Sequence, residues 1–342
     1  MNWYPWLNQP YRQIITRHQA GQAHHALLIQ AIEGMGDDAL VWGVSRWLMC
    51  QQPEGLKSCG HCHGCQLMQA HTHPDWYRLE AEKGKSSLGI DAVRDVTEKL
   101  YHFAQQGGAK IVWLPDAAEL TEAAANALLK TLEEPPANCW FFLSVREPSR
   151  LLATLRSRCM TWHLSPPEEV QSLSWLQKQQ PQTEAVLRAA LRLSNGAPAA
   201  ALALLQPDRW QAREKLCATL LTALNADVLQ LLPALNSDDV AERLSWLISL
   251  LVDAMKVQQG ASNWLSNGDR PDVVTQLAQQ LTSSALNASA QQWMQCREQL
   301  LHVTALNREL ILTDRLLAWG QLITPRSEEH TSELSHITIS YA

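Results

Sequence analysis

Phenylalanine is scarce in this 342-residue chain, with three residues against fourteen tryptophans, and charged residues make up only 18%. No apolar run approaches the ~18 residues of a membrane span, which argues against a membrane role. The opening residues lack a charged segment followed by an apolar one, so no secretory signal is expected and the protein reads as cytoplasmic. A basic excess is missing too: 28 Lys and Arg face 34 Asp and Glu, a net charge of −6. Proteins that grip nucleic acid alone are more often basic, because counterion release drives that affinity. Any such role should therefore run through partners. The tryptophans mostly fall in apolar patterns and read as core.

Four of the eight cysteines are crowded into sixteen residues: Cys50, Cys59, Cys62 and Cys65. The two-residue gaps let neighbouring thiolates curl around one small ion, and the eight-residue gap lets a fourth close a tetrahedron. Four sulfurs with no open position suit one structural Zn²⁺ per chain rather than a catalytic one. Gly55, Gly60 and Gly64 are read as supplying positive-φ freedom to the knuckle. Two disulfides, or a site in which His61 or His63 replaces one sulfur, are the alternatives. Cys139, Cys159, Cys217 and Cys296 are scattered, as buried thiols of a reducing compartment would be.

Up to about residue 165, short apolar runs alternate with helical patterns. Strands are expected at 26–29, 76–79, 111–114, 140–145 and 160–164, and helices at 39–49, 91–105 and 121–134. Asp37 or Asp38 is placed to cap the first of these helices, and Pro135 and Pro136 stop the last. This alternation predicts a parallel sheet with helices on both faces. Beyond Pro167 the expectation is helical throughout: three short helices at 167–179, 183–193 and 198–205, then a larger block from 208 to 322. Within that block, 288–317 fits one helix or two abutting ones. Residues 326–342 read as a disordered or non-native tail.

The turn at 31–38 has the position and glycines of a phosphate-binding loop, with Gly34 and Gly36 present. Ala31 stands in the first glycine's place, Asp37 in the lysine's and Asp38 in the hydroxyl's. A charge ~4 Å from a phosphate at an effective dielectric of ~20 is worth about 4 kcal/mol, attractive for lysine and repulsive for aspartate. The loop therefore reads as one that binds no ATP. Asp116, ending the 111–114 run, is taken as a cap or turn former, and Ala117 follows where a water-polarising acid would be needed.

Three features together, the segments 126–136 (NALLKTLEEPP) and 146–159 (REPSRLLATLRSRC) and the inserted cysteine knuckle, resemble the bacterial DNA polymerase III clamp-loader family of AAA+ proteins. The resemblance spans about 1–325. It implies an α/β AAA+ domain (1–165, knuckle at 50–65), an all-α lid (166–207) and an all-α collar (208–325) that holds five subunits in a ring. The Walker B glutamate falls at Ala117, the sensor residue within 144–148 and the lid arginine at Ala199, so the ATP-site elements fail repeatedly. In contrast Arg158, between Ser157 and Cys159, matches the arginine that enters a neighbour's ATP site, with Lys130 and Glu133 as supports. The resemblance implies a non-hydrolysing structural subunit of a polymerase holoenzyme, nucleoid-associated during replication. Its partners would be the other loader subunits and, through the assembly, the sliding clamp and primed DNA. An active AAA+ ATPase, or a zinc-dependent nucleic-acid-binding module, are the alternatives. Against the latter, Lys57 is the one lysine or arginine between Cys50 and Cys65.

Overall fold

The computed structural model describes residues 2–82, 84–85, 87–302 and 307–323. The expected tail at 326–342 lies outside them. The chain forms two compact units, one of residues 1–175 and 195–201, the other of 176–194 and the remainder.

The first unit runs α1 (Asn8–Gln19), β1 (Ala26–Ala31), α2 (Asp37–Leu48), α3 (His63–Gln69), β2 (Trp76–Arg78), α4 (Ile90–Leu100), β3 (Lys110–Leu114), α5 (Glu122–Glu133), β4 (Cys139–Val145), α6 (Ala153–Arg156) and β5 (Met160–Leu164). The strands form one parallel sheet in the order β2-β3-β4-β1-β5. Successive side chains of a strand point to opposite faces, so both faces need cover. Ala26 and Leu28 join Val112, Phe141 and Leu143 in a core closed by Val93 and Leu100 of α4 and Leu128 of α5. Leu27 and Ile29 join Trp113 and Phe142 in a second core, closed by Ile15 of α1 and Leu40 and Val44 of α2. The expected parallel sheet, helical on both faces, is what the chain forms.

Three local expectations are corrected. Neither Asp37 nor Asp38 caps α2: Gly36, left-handed at φ 80°, is the N-cap, and both aspartates lie inside the first turn. Helix α4 stops at Leu100 rather than near Gln105. The carboxylate of buried Asp75 accepts from the backbone N–H groups of Gln105 and Gln106, each at 2.9 Å, which holds that segment in a turn. Gly64 does not have positive φ. It sits where an added Cβ would lie 2.2 Å from the Met49 carbonyl oxygen, so close approach rather than turn geometry demands glycine.

Further helices follow: α7 (Glu169–Gln179), α8 (Glu184–Leu193), α9 (Pro198–Leu204), α10 (Pro207–Ala223), α11 (Leu232–Leu235), α12 (Val240–Gln258), α13 (Pro271–Gln280), α14 (Ser283–His302) and α15 (Arg308–Ile323). No strand follows β5 among the described residues, and the 288–317 stretch is divided between α14 and α15. In the second unit fully buried Arg213 forks onto Asp269 at 2.7 and 2.9 Å and donates to Asn267 at 2.8 Å. Paired in this way, the buried guanidinium fixes α10 against the 267–269 loop without an orphan charge. Among the described residues no helix is long and apolar enough to cross a membrane.

Candidate functional site

Helix α2 ends at Leu48, and the chain then loops through Cys50 and Cys59 before Cys62 starts α3. Cys62 is the α3 N-cap, its sulfur accepting from the Cys65 N–H at 3.4 Å. Gly55 and Gly60 do carry positive φ, 57° and 81°, and permit the two tight turns. The four sulfurs converge: Cys50 to Cys59 is 3.5 Å, Cys50 to Cys62 and Cys59 to Cys65 are each 3.9 Å, and all four lie within 4.8 Å of one another. Tetrahedral coordination with metal–sulfur bonds of ~2.3 Å spaces sulfurs about 3.8 Å apart, so the cluster fits one ion. A disulfide needs about 2.05 Å, and all eight cysteines are free. His61 and His63 are exposed and stand outside the four-sulfur group.

The thiols differ sharply in acidity. Burial pushes Cys65 up to about 12 and raises Cys50. At Cys62 burial is outweighed by N–H donors from Cys65 and Gln51 and by neighbouring thiols, which bring it down to about 6. A divalent cation would stabilise all four as thiolates, and it is the group this donor set can hold.

The loop after β1 departs from a phosphate cradle in a way the sequence did not disclose. Asp37 is buried and forms an ion pair with Arg146, Nη1 to Oδ1 2.8 Å. The same nitrogen donates to the Ala31 carbonyl at 3.2 Å. Arg146 follows β4, so the pair ties the end of that strand to the first turn of α2. This corrects the charge argument: a paired Asp37 repels a phosphate far less than a bare one. Three other features work against phosphate. Two carboxylates occupy the positive end of the α2 dipole, the place a phosphate would take. Gly36 abuts the Tyr4 ring, where a Cβ would lie at 2.5 Å, and Gly34 abuts Ala200 of α9 at 2.4 Å. Trp6 Nε1, its ring stacked on Tyr4, donates to the Met35 carbonyl inside the loop. Protein atoms thus pack closely against both glycines of the loop. Arg146 was missed because its partner lies 109 residues away; a lone arginine after β4 opposite an aspartate at the lysine position was the available signal.

Asp116 is the expected cap, its carboxylate accepting from the Ala118 N–H at 2.9 Å, and Ala117 is buried beside it. Ala199, one residue before the Ala200 that covers Gly34, brings no charge to the loop. Arg158 stands just past α6, away from these residues in sequence and held by Glu133 of α5. Its Nε donates to Glu133 Oε1 at 2.6 Å, its Nη2 donates to the same oxygen, and its Nη1 donates to the Thr154 carbonyl at 2.7 Å. In the single chain it is therefore a partly exposed arginine paired with a nearby acid. Lys130 is exposed one turn earlier on α5. Burial pushes the adjacent Cys159 thiol up to about 12, which makes it unreactive.

Family models match nearly the whole chain in sequence order. Residues 6–168 match "DNA polymerase III, delta subunit", 167–206 match "DNA polymerase III subunit delta', AAA+ ATPase lid domain", and 207–321 match "DNA polymerase III, delta subunit, C terminal". The chain is 56% identical over 325 residues to DNA polymerase III subunit delta' of Yersinia pestis, covering 93% of this chain and 96% of that protein. It is 56% identical over 326 residues to the delta' subunit of Escherichia coli K12, covering 95% and 97%. A shorter stretch of 144 residues, 42% of this chain and 22% of the relative, is 30% identical to the DNA polymerase III subunit tau of Salmonella typhimurium. With near-complete coverage at this identity, the chain belongs to the DNA polymerase III delta' subunit family.

Proposed function

We propose that this protein is a structural, non-hydrolysing subunit of the DNA polymerase III clamp loader that presents Arg158 to the ATP site of an adjacent subunit. The observation that carries the first half is the Asp37–Arg146 pair, in a loop whose glycines are packed closely by Tyr4 and Ala200 and whose Met35 carbonyl is taken by Trp6. A phosphate would have to displace carboxylates from the α2 N-terminus and would find no lysine. Residues 1–165 would be the AAA+ domain, 166–207 the lid and 208–325 the collar of a five-membered ring. In support of a collar, Met294 and Leu301 on α14 and Leu310 and Leu317 on α15 are exposed, each pair seven residues apart and so on one helix face. The sliding clamp and primed DNA would be met through the assembled complex, in the cytoplasm at the nucleoid. The cysteine cluster would hold one structural Zn²⁺, which ties the end of α2 to the start of α3.

For Arg158 the supporting facts are partial exposure and a forked, permanently charged head able to neutralise charge on a transferring phosphoryl group. Acting in trans would require it to exchange Glu133 for that group. The decisive experiment is Arg158→Ala in a reconstituted loader. Assembly and zinc content should survive, while clamp-stimulated ATP hydrolysis falls at least about tenfold at the affected site. Unchanged hydrolysis in an intact assembly would reduce Arg158 to the surface ion pair it makes in the single chain. The isolated protein should bind no MgATP in equilibrium dialysis; a micromolar dissociation constant would revive the active-ATPase reading.

A further inference from the structure

A groove with a volume of about 510 Å³ opens where α1 and α2 meet the cysteine knuckle. Trp3, Tyr11 and Leu56 give it an apolar wall, and Arg12, Arg46 and Lys57 give it three positive charges. No carboxylate lines it. Glu54, which bridges Lys57 through the backbone, is the nearest acid in the knuckle and does not line the groove. Helix α1 carries Arg12 and Arg17 and no acidic residue at all. No ion pair among the described residues includes Arg12, Arg46 or Lys57, and the Arg46 Nε is buried without a hydrogen-bond partner. The groove's positive charge therefore has no anionic partner along its lining.

The apolar wall is held in place. Trp3 stands edge-on to Tyr11 at 5.3 Å and donates to Asn8 at 2.8 Å, while the Tyr11 hydroxyl donates to the Leu56 carbonyl at 2.7 Å. Gly43 makes room for it, since a Cβ there would lie 2.9 Å from the Trp3 ring. A groove ordered before binding loses little entropy when it is filled. A volume in the ordinary range for ligand pockets holds a few side chains rather than a tract of polymer. The two aromatic rings pack edge to face, not splayed as platforms for successive bases. The −6 net charge of the chain repels a polyanion more than a short peptide.

We propose that this groove docks a short segment of a partner protein in which two or three carboxylates flank one apolar side chain. The carboxylates meet Arg12, Arg46 and Lys57, and the apolar side chain lies on Trp3 and Leu56. The proposal is independent of ATP chemistry and of Arg158.

The test uses the zinc-replete full chain and fluorescence anisotropy. The probes are labelled hexapeptides with three aspartates and one leucine or phenylalanine, their asparagine counterparts, and a ten-nucleotide oligothymidylate. Acidic peptides should bind saturably and at least about tenfold tighter than the asparagine controls, weakening as salt is raised. Arg12→Glu and Lys57→Glu, both at exposed positions, should each weaken binding about tenfold without changing the unfolding transition. Gly43→Ala should weaken it too, by displacing Trp3 while every charge stays. Absence of saturable peptide binding up to about 1 mM would overturn the proposal. So would indifference to both charge reversals, or an oligothymidylate that binds more tightly and competes.

Discussion

Removing Arg146 tests how the loop after β1 is held. The Asp37 side chain is 4% exposed and that of Arg146 40%, so the two ends of this ion pair are not equivalent. Arg146→Ala strands a carboxylate that water can barely reach and also deprives the Ala31 carbonyl of a donor. Breaking a fully buried pair from one side costs about 3–5 kcal/mol. Because the space vacated by Arg146 opens to solvent, we expect about 2 kcal/mol. Asp37→Ala leaves a guanidinium free to turn outward, and its cost, about 1 kcal/mol, comes largely from charge lost at the α2 N-terminus. In the double variant the stranded carboxylate no longer exists. It should lose about 2 kcal/mol rather than the additive ~3, a coupling of about 1 kcal/mol. Urea unfolding of the zinc-replete chain at pH 7.5 measures all four corners of this cycle. If Asp37→Ala proves as damaging as Arg146→Ala, or if the two add to within about 0.3 kcal/mol, the pair is a passive surface contact and the argument fails.

Two further outcomes are expected. Reduced protein should contain one Zn²⁺ per chain; less than about half an equivalent would count against the site. Cys62→Ser should lower zinc affinity while α3 keeps its first turn, because a serine hydroxyl can cap in place of the thiol, with little loss of helical circular dichroism. The second outcome concerns pH. Burial against Trp140, with ring centroids 4.4 Å apart, lowers the His18 pKa from 6.5 to about 4. Between those values the unfolded chain binds a proton that the folded chain refuses. Stability should therefore be complete in this respect above pH 6.5 and fall as pH drops towards 4. The partial exposure of His18 discounts the loss to about 1–2 kcal/mol. A His18→Gln variant whose stability keeps the same slope across that window would show that another group is responsible.

The strands were legible because each is a short apolar run bounded by turn residues, and all five expected segments lie within a residue or two of the observed ones. Helix ends were less so. Gly36 rather than Asp37 caps α2, and α4 stops at Leu100, short of the Gln105 and Gln106 N–H groups that Asp75, 30 residues before Gln105, claims. The cysteine site could be read because its geometry is encoded in local spacing. Arg146 and the groove by α1 could not, since they depend on which distant segments the sheet order brings together. Gly64 was chosen correctly for the wrong reason: sequence shows a glycine, but only packing shows that the Met49 carbonyl excludes a Cβ.

The Asp37–Arg146 pair also limits which substitutions this loop can accept. A lysine at position 37 would be set against Arg146, two cations where an attractive pair now stands. Losing Arg146 first would strand Asp37. Either single step lowers stability. Altering the charge pattern of this loop at full stability therefore takes two coordinated substitutions. Two positions 109 residues apart in sequence are thereby tied to one another by the stability of the fold.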